Sequence, residues 1–294
     1  MDDNNSQGSE GGRSGWSSIL GGMRLIGCML IGVLVTGALV IPSQADDRRF
    51  TYTYEPETPP AGSMEVENWV TLGTQRSSAV GQVDYNQWDF RQELEYGVSD
   101  RYAVGLYLNE RATSFQNPGT GGNESSFDWK GVSLENRFNV LNPADHAVGL
   151  TLYLEGTYSG EEAEVEEKII LGQRHGDWKW AFNLIHATDW EDNLSKTEGE
   201  LGASFGLARD LGKHWSVGLE LRDETLAPDY KQFESTALFL GPVVSYHQEK
   251  WWAALTVMPQ IYGWNKDGSA DGNSHLELVD HEKVNVRLLI GFNF

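Results

Sequence analysis

The chain has 294 residues with 33 Gly, 11 Trp, 11 Tyr and 11 Phe, and its mean hydropathy of -0.43 is too polar for a bundle of membrane helices. A formal charge of -21 repels a polyanion over the whole surface and excludes nucleic acid as a partner. The single cysteine, Cys28, lies in a segment expected to be removed, so the mature chain has neither a disulfide nor thiol chemistry.

From Leu25 to Ile41 runs an uncharged apolar stretch, with Arg24 before it and Pro42-Ser43-Gln44-Ala45 after it. A positive flank, an apolar run and small residues at the end read as a signal peptide over residues 1–45, cut after Ala45. The acidic, Gly/Ser-rich prefix is unlike the start of such a peptide, so translation is expected to begin at Met23. Residues 46–62 follow as an irregular lead-in on the periplasmic side, or a partial plug. Pro56, Pro59 and Pro60 prevent regular strand pairing through most of it.

From residue 63 to the end the chain consists of segments that alternate in character and are separated by turn residues. Gln87 to Val98 shows this most clearly, with Trp88, Phe90, Leu94 and Tyr96 facing one way and Asp89, Arg91, Glu93 and Glu95 the other. A soluble core would not accept the charges, and a soluble surface would not expose the aromatics. Lipid outside and water inside satisfies both. Similar segments at Met64–Leu72, Tyr102–Asn109, Gly131–Phe138, Ala147–Tyr158, Val165–Gln173 and Trp178–Ala187 continue the pattern. Glu198–Leu207, Trp215–Asp223, Thr236–Tyr246, Trp251–Ile261 and Val284–Phe294 complete about twelve strands. The expected fold is all-β, a single transmembrane antiparallel up-and-down barrel. Short connections alternate with longer ones such as 114–126, 189–196, 226–233 and 262–281, which assigns the short turns to the periplasm and the long loops to the outside. Tyr102, Trp178, Trp215 and Trp251 each open a strand after a short turn, where an interfacial aromatic girdle belongs.

Two stretches resemble known proteins. The closing segment VNVRLLIGFNF, ending on Phe292 and Phe294, resembles the last strand of Gram-negative outer-membrane barrels, whose final Phe is read by the assembly machinery. The unit QELEYGVSDRYAVGLYL (Gln92 to Leu108) resembles a hairpin common in uncharacterised outer-membrane barrels and in porin-like or transporter-like channel families linked to uptake of small organic molecules. The resemblance implies a bacterial outer-membrane location, contact with outer-membrane lipid and lipopolysaccharide, and assembly by the barrel machinery. It names no substrate.

The pore-lining candidates are Asp89, Arg91, Glu93, Glu95, Arg101, Glu135, Arg137, Glu155, Lys179, Glu200, Glu220, Arg222 and Arg287, which leave the interior close to charge balance. Pairing across the turn near 209–213 is expected to set Glu200 beside Arg222. Acid runs such as Glu161-Glu162-Ala163-Glu164 and Asp189-Trp190-Glu191-Asp192 collect in the outer connections, giving an acidic mouth. The expected function is a passive channel of one chain for small cationic or neutral solutes, without cofactor, metal or chemistry. Its rivals are a sealed structural or surface-binding barrel, and an outer-membrane lipid hydrolase. Gly202-Ala203-Ser204-Phe205-Gly206 matches G-x-S-x-G but sits inside an alternating strand, not on the strand-to-helix turn that motif requires. Asp267, Ser269, Asp271 and Gly272 resemble the start of a calcium loop that lacks its twelfth-position acid.

Overall fold

A computed structural model describes residues 48–77, 81–268 and 275–294. The expected signal peptide and most of the calcium-like loop lie outside these residues. Twelve strands follow in order: β1 (Met64–Thr74), β2 (Val83–Ser99), β3 (Tyr102–Gln116), β4 (Asn123–Leu141), β5 (Gly149–Tyr158) and β6 (Ala163–His175) form the first half. The second half is β7 (Trp178–Glu191), β8 (Lys196–Leu211), β9 (Trp215–Pro228), β10 (Ser235–His247), β11 (Trp251–Asn265) and β12 (Val284–Asn293). Every strand pairs antiparallel with its sequence neighbours, and β1 pairs with β12 from Glu65↔Asn293 to Thr74↔Val284, so the barrel is closed. Closure leaves no edge with unpaired backbone groups, which hydrocarbon demands.

The two-residue period divides the wall into two chemistries. On β12, Leu288 and Phe292 are exposed outward, whereas Asn285, Leu289 and Gly291 are buried inward. On β2, Trp88, Leu94 and Tyr96 are exposed while Glu93 and Glu95 are only 4% and 2% exposed. A barrel with bare apolar side chains outside and buried carboxylates inside is built for a bilayer. No described helix is long and apolar enough to cross a membrane.

The two ends differ. At one end the connections are short, such as Asp100–Arg101 between β2 and β3 and Gly176–Asp177 between β6 and β7. At the other end the strands rise well beyond the roughly 9 to 11 residues a bilayer needs, with β4 reaching 19. This tall end corrects the expected loop lengths. Residues 189–191 and 226–228 are strand, and the turns joining β7 to β8 and β9 to β10 shrink to 192–195 and 229–234. The polar alternation that continues above the membrane still pairs, because water hydrogen-bonds the outward side chains there instead of lipid excluding them.

The register of β8 with β9 also differs from expectation. Leu211 faces Trp215, so Gly212, Lys213 and His214 alone make the turn, with Gly212 at a φ of +75°. Glu200 therefore lies opposite Leu226, and Ser204 faces Arg222. The expected Glu200–Arg222 pair is replaced by Arg222–Glu224 at 3.0 Å.

Candidate functional site

The interior is occupied by the chain's own lead-in. Ala61 N donates to the Asp100 carboxylate in the β2–β3 turn (3.1 Å), and from there residues 60 back to 48 run into the barrel from the turn end. Phe50, Thr51 and Thr53 are fully buried, and Tyr52 and Tyr54 are 6% and 4% exposed. Residues 48–56 of the segment expected as a periplasmic lead-in or partial plug are thus inside the wall, and residues 60–62 stay exposed at the turn end. An extended chain with prolines cannot satisfy its own backbone, so barrel side chains must do so.

They do it at three heights. On β9, Glu220 accepts from the backbone N–H groups of Thr51 (3.1 Å), Tyr52 (2.8 Å) and Thr53 (2.9 Å), and from the hydroxyls of Thr51 and Thr256. Asn183 on β7 brackets Tyr54, accepting its N–H at 2.7 Å and donating to its carbonyl at 2.9 Å. Asn139 on β4 and Thr151 on β5 both donate to the Pro56 carbonyl. Lys179 adds ion pairs to Glu55 (3.2 Å) and Glu57 (2.9 Å).

Around Tyr54 the lumen is closed by rings and cations. Tyr54 meets Tyr153 edge-on at 5.2 Å, and Trp69 meets Tyr107 edge-on at 6.0 Å. Arg48 lies 4.3 Å from the Tyr54 ring centre, Lys168 4.2 Å from Tyr153 and Arg91 4.2 Å from Tyr107. Each cation has a carboxylate as well: Glu67 for Arg48, Glu166 for Lys168 and Glu155 for Arg91, the last at 2.6 Å. Buried charges persist only when paired in this way. Arg137 bridges Glu95 on β2 and Glu135 on its own strand.

Above this layer, toward the tall end, a cavity of about 270 Å³ opens between β2–β4 and β5–β7. Its floor carries Arg91 and Glu155, and its walls carry Asp89, Arg111, Lys130, Glu162, Glu164 and Asp189. Opposite it, residues 275–283 fold into the mouth against β10, β11 and β1. The fully buried Glu277 holds them there, accepting from the N–H groups of Val279 (3.0 Å), Asp280 (3.0 Å) and His281 (3.2 Å).

Twelve of the thirteen candidate lumen residues point inward. Asp89, Arg91 and Glu155 line the cavity. Glu93, Glu95, Glu135 and Arg137 form one buried cluster; Lys179, Glu220 and Arg287 hold the inserted segment; Glu200 and Arg222 face the lumen from β8 and β9. Arg101 is the exception. It sits exposed in the β2–β3 turn, because Tyr102 begins the strand and the turn residues before it lie outside the wall. Trp178, Trp215, Trp251, Phe292 and Phe294 are exposed on the outer face, and Tyr102, half-buried there, donates to Asn136. Ser204 is buried inward beside Asn183 and packs in the wall. His186 faces outward, between the Glu167 carboxylate (2.7 Å) and the Tyr230 hydroxyl (3.2 Å).

The Glu220 anchor was not legible as such, since its partners are backbone groups. The signal that was available is an inward acid on β9 with no inward base opposite it, facing Gly206 on β8 and Gly241 on β10.

Wall, closure and interior together define a twelve-stranded transmembrane β-barrel with a polar lumen and an inserted N-terminal segment. The chain belongs to a family of unknown function, DUF6662, whose model matches residues 42–170 and 172–294. No curated protein matches the sequence. Among solved structures, the COG4313 outer membrane channel from Pseudomonas putida F1 is similar at 14% identity and a TM-score of 0.56, over 83% of this chain and 100% of that one. The NanC porin, at 10% identity and a TM-score of 0.49, covers 79% of this chain with all of its own. These likenesses concern the fold.

Proposed function

We propose that the protein is an outer-membrane channel for small solutes, held closed in this conformation by residues 48–56. The turn end would face the periplasm and the tall end the outside. One observation carries the reading: the centre of the barrel is filled by a separate, extended piece of chain docked through polar contacts, not by interdigitated wall side chains. A barrel of twelve strands is too wide for its own side chains to fill, and a barrel meant only to be solid has no need of a removable filling. The similar fold in a protein described as an outer membrane channel supports the same reading. No residue is assigned a catalytic role.

The cation–ring layer around Tyr54 favours a second reading, a sealed barrel whose inserted segment is a permanent strut. Planar-bilayer recording separates the two. A chain lacking residues 46–57 should give discrete conductance steps where the full chain gives rare or none. If the shortened barrel folds, as judged by its cold gel mobility, and never conducts, the channel reading fails.

A further inference from the structure

Along the wall of the cavity runs a row of side chains set by strand register, of which Thr157, Glu164 and Asp189 line the cavity and Glu198 extends the row past it. Thr157 on β5 faces Glu164 on β6, Glu164 faces Asp189 on β7, and Asp189 faces Glu198 on β8. All four fall on the inward parity of their strands, so three acidic side chains stand side by side with Cβ atoms about 5 Å apart between neighbours. Like charges directly opposed on adjacent strands are destabilising, and here the opposition is repeated twice. Neighbouring acids are given a base: Glu155 has Arg91, Glu162 has Lys130, Glu191 has Lys196 and Glu166 has Lys168. Glu164, Asp189 and Glu198 make no ion pair or hydrogen bond among the described residues. Beside them stand further acids, Glu155 and Glu166 near Glu164 and Glu191 near Asp189, and the two nearby bases are engaged elsewhere: Arg91, near Glu164, by Glu155 and Lys196, near Glu198, by Glu191.

A second observation points the same way. Asn109, 8% exposed, lines the same cavity. Its amide nitrogen is held by Ser133 Oγ (2.8 Å) and the Gly131 carbonyl, which fixes the side chain, and its Oδ1 is buried without any donor. Ser133 in turn meets the Thr157 hydroxyl at 2.7 Å, so Asn109 continues the row on its far side. An unsatisfied buried acceptor costs stability until a donor reaches it.

We propose that this row binds an extended organic cation bearing two or more ammonium groups, of the aliphatic polyamine class. The carboxylates and Asn109 Oδ1 are all acceptors, to which an ammonium group brings N–H donors and positive charge together, whereas a quaternary ammonium brings no donor and an uncharged solute no charge. The spacing decides between a chain-like cation and a compact metal ion. Carboxylate oxygens that converge within 4.8 Å occur deeper in the barrel, at Glu65–Glu67–Glu95 and Glu93–Glu95–Glu135, and not in this row. Separated charges along a line fit ammonium groups separated by methylenes. A cavity of about 270 Å³ admits such a molecule alongside the row. The inference deepens the channel reading and rests on it for its purpose, since the cavity is the outer end of the same lumen.

The test is equilibrium binding to the full barrel in detergent, read by calorimetry with spermidine, calcium and an uncharged sugar as separate probes. Spermidine should bind and weaken with added salt, and Glu164→Gln with Asp189→Asn should reduce affinity about tenfold or more. Glu249→Gln, in the β10–β11 turn at the other end of the barrel, should leave it unchanged. Spermidine binding that is absent, or equal in the double variant and the parent, overturns the proposal, as does calcium binding more tightly at the same carboxylates. Since the double substitution removes repulsion, it should fold at least as well as the parent. A barrel that binds spermidine and never conducts sinks only the channel; one that conducts without binding it sinks only this site.

Discussion

Glu220 and Thr51 meet in the middle of the barrel, where one carboxylate on β9 accepts both the backbone N–H and the hydroxyl of a residue on the inserted segment. The same carboxylate takes the next two N–H groups, so three successive N–H groups of a segment with no strand to pair with form a nest around it as the bound anion. Its negative charge is what makes these bonds strong. Glu220→Gln keeps the shape and one acceptor but places an N–H₂ against donors, which should loosen the segment by about 2–3 kcal/mol. The expected outcome is more frequent conductance steps and faster protease cleavage near residue 52, with the barrel's own unfolding midpoint little changed. Equal cleavage rates in both proteins would show that the segment is held by something else.

Phe50 packs its ring on the bare Cα of Gly206, where an added Cβ would lie 2.6 Å from the ring. The ring belongs to the inserted segment and is rigid, so it would have to move. Gly206→Val is expected to displace Phe50 and its neighbours while improving the strand propensity of β8. Conductance should rise without loss of folded barrel; a variant that folds and remains as silent as the parent would contradict this packing relation.

The barrel was legible because its signal is repeated: twelve alternating segments place Glu93 and Leu94 on opposite faces whatever the loops do. Register was less so, since the β8–β9 pairing depends on which three residues turn, and Gly212 decided that by accepting a positive φ. The inserted segment was hidden for a different reason. Thr51-Tyr52-Thr53-Tyr54 alternates as a strand would, but its backbone bonds go to Glu220 and Asn183, residues 129 or more positions away in the chain. Inward polar residues were readable one by one; that they hold residues 48–56 of the same chain was not.

Among the described residues Arg137 alone bridges Glu95 and Glu135, and all three are at most 4% exposed. Removing it leaves two buried carboxylates beside Glu93, and breaking a buried pair typically costs about 3–5 kcal/mol. Arg137→Leu should therefore lose the folded, heat-shifted gel band at moderate urea where the parent keeps it. Adding Glu95→Gln and Glu135→Gln should restore much of the loss, because the fault is uncompensated charge and not a hole. Failure of that rescue would assign Arg137 a packing role instead.

At the tall end, Glu277 arranges residues 275–283 over one side of the mouth, and Arg76 fastens the loop's far end through Glu282 at 2.6 Å. The carboxylate of Glu277 is fully buried and takes three successive N–H groups, while its own backbone exchanges two bonds with Gln260. With Glu277→Ala those N–H groups lose their partner, and the loop should swing out of the mouth while the twelve-strand ladder stays paired. In a background lacking residues 46–57, that substitution is expected to raise the size of solute admitted in liposome swelling, with sugars of increasing mass as the gauge. The restriction would then lie at the loop, since with the segment gone the wall at Glu277 is the narrowing left to widen. An unchanged size limit would place the narrowest point at the ring of Trp69, Tyr107 and Tyr153 instead.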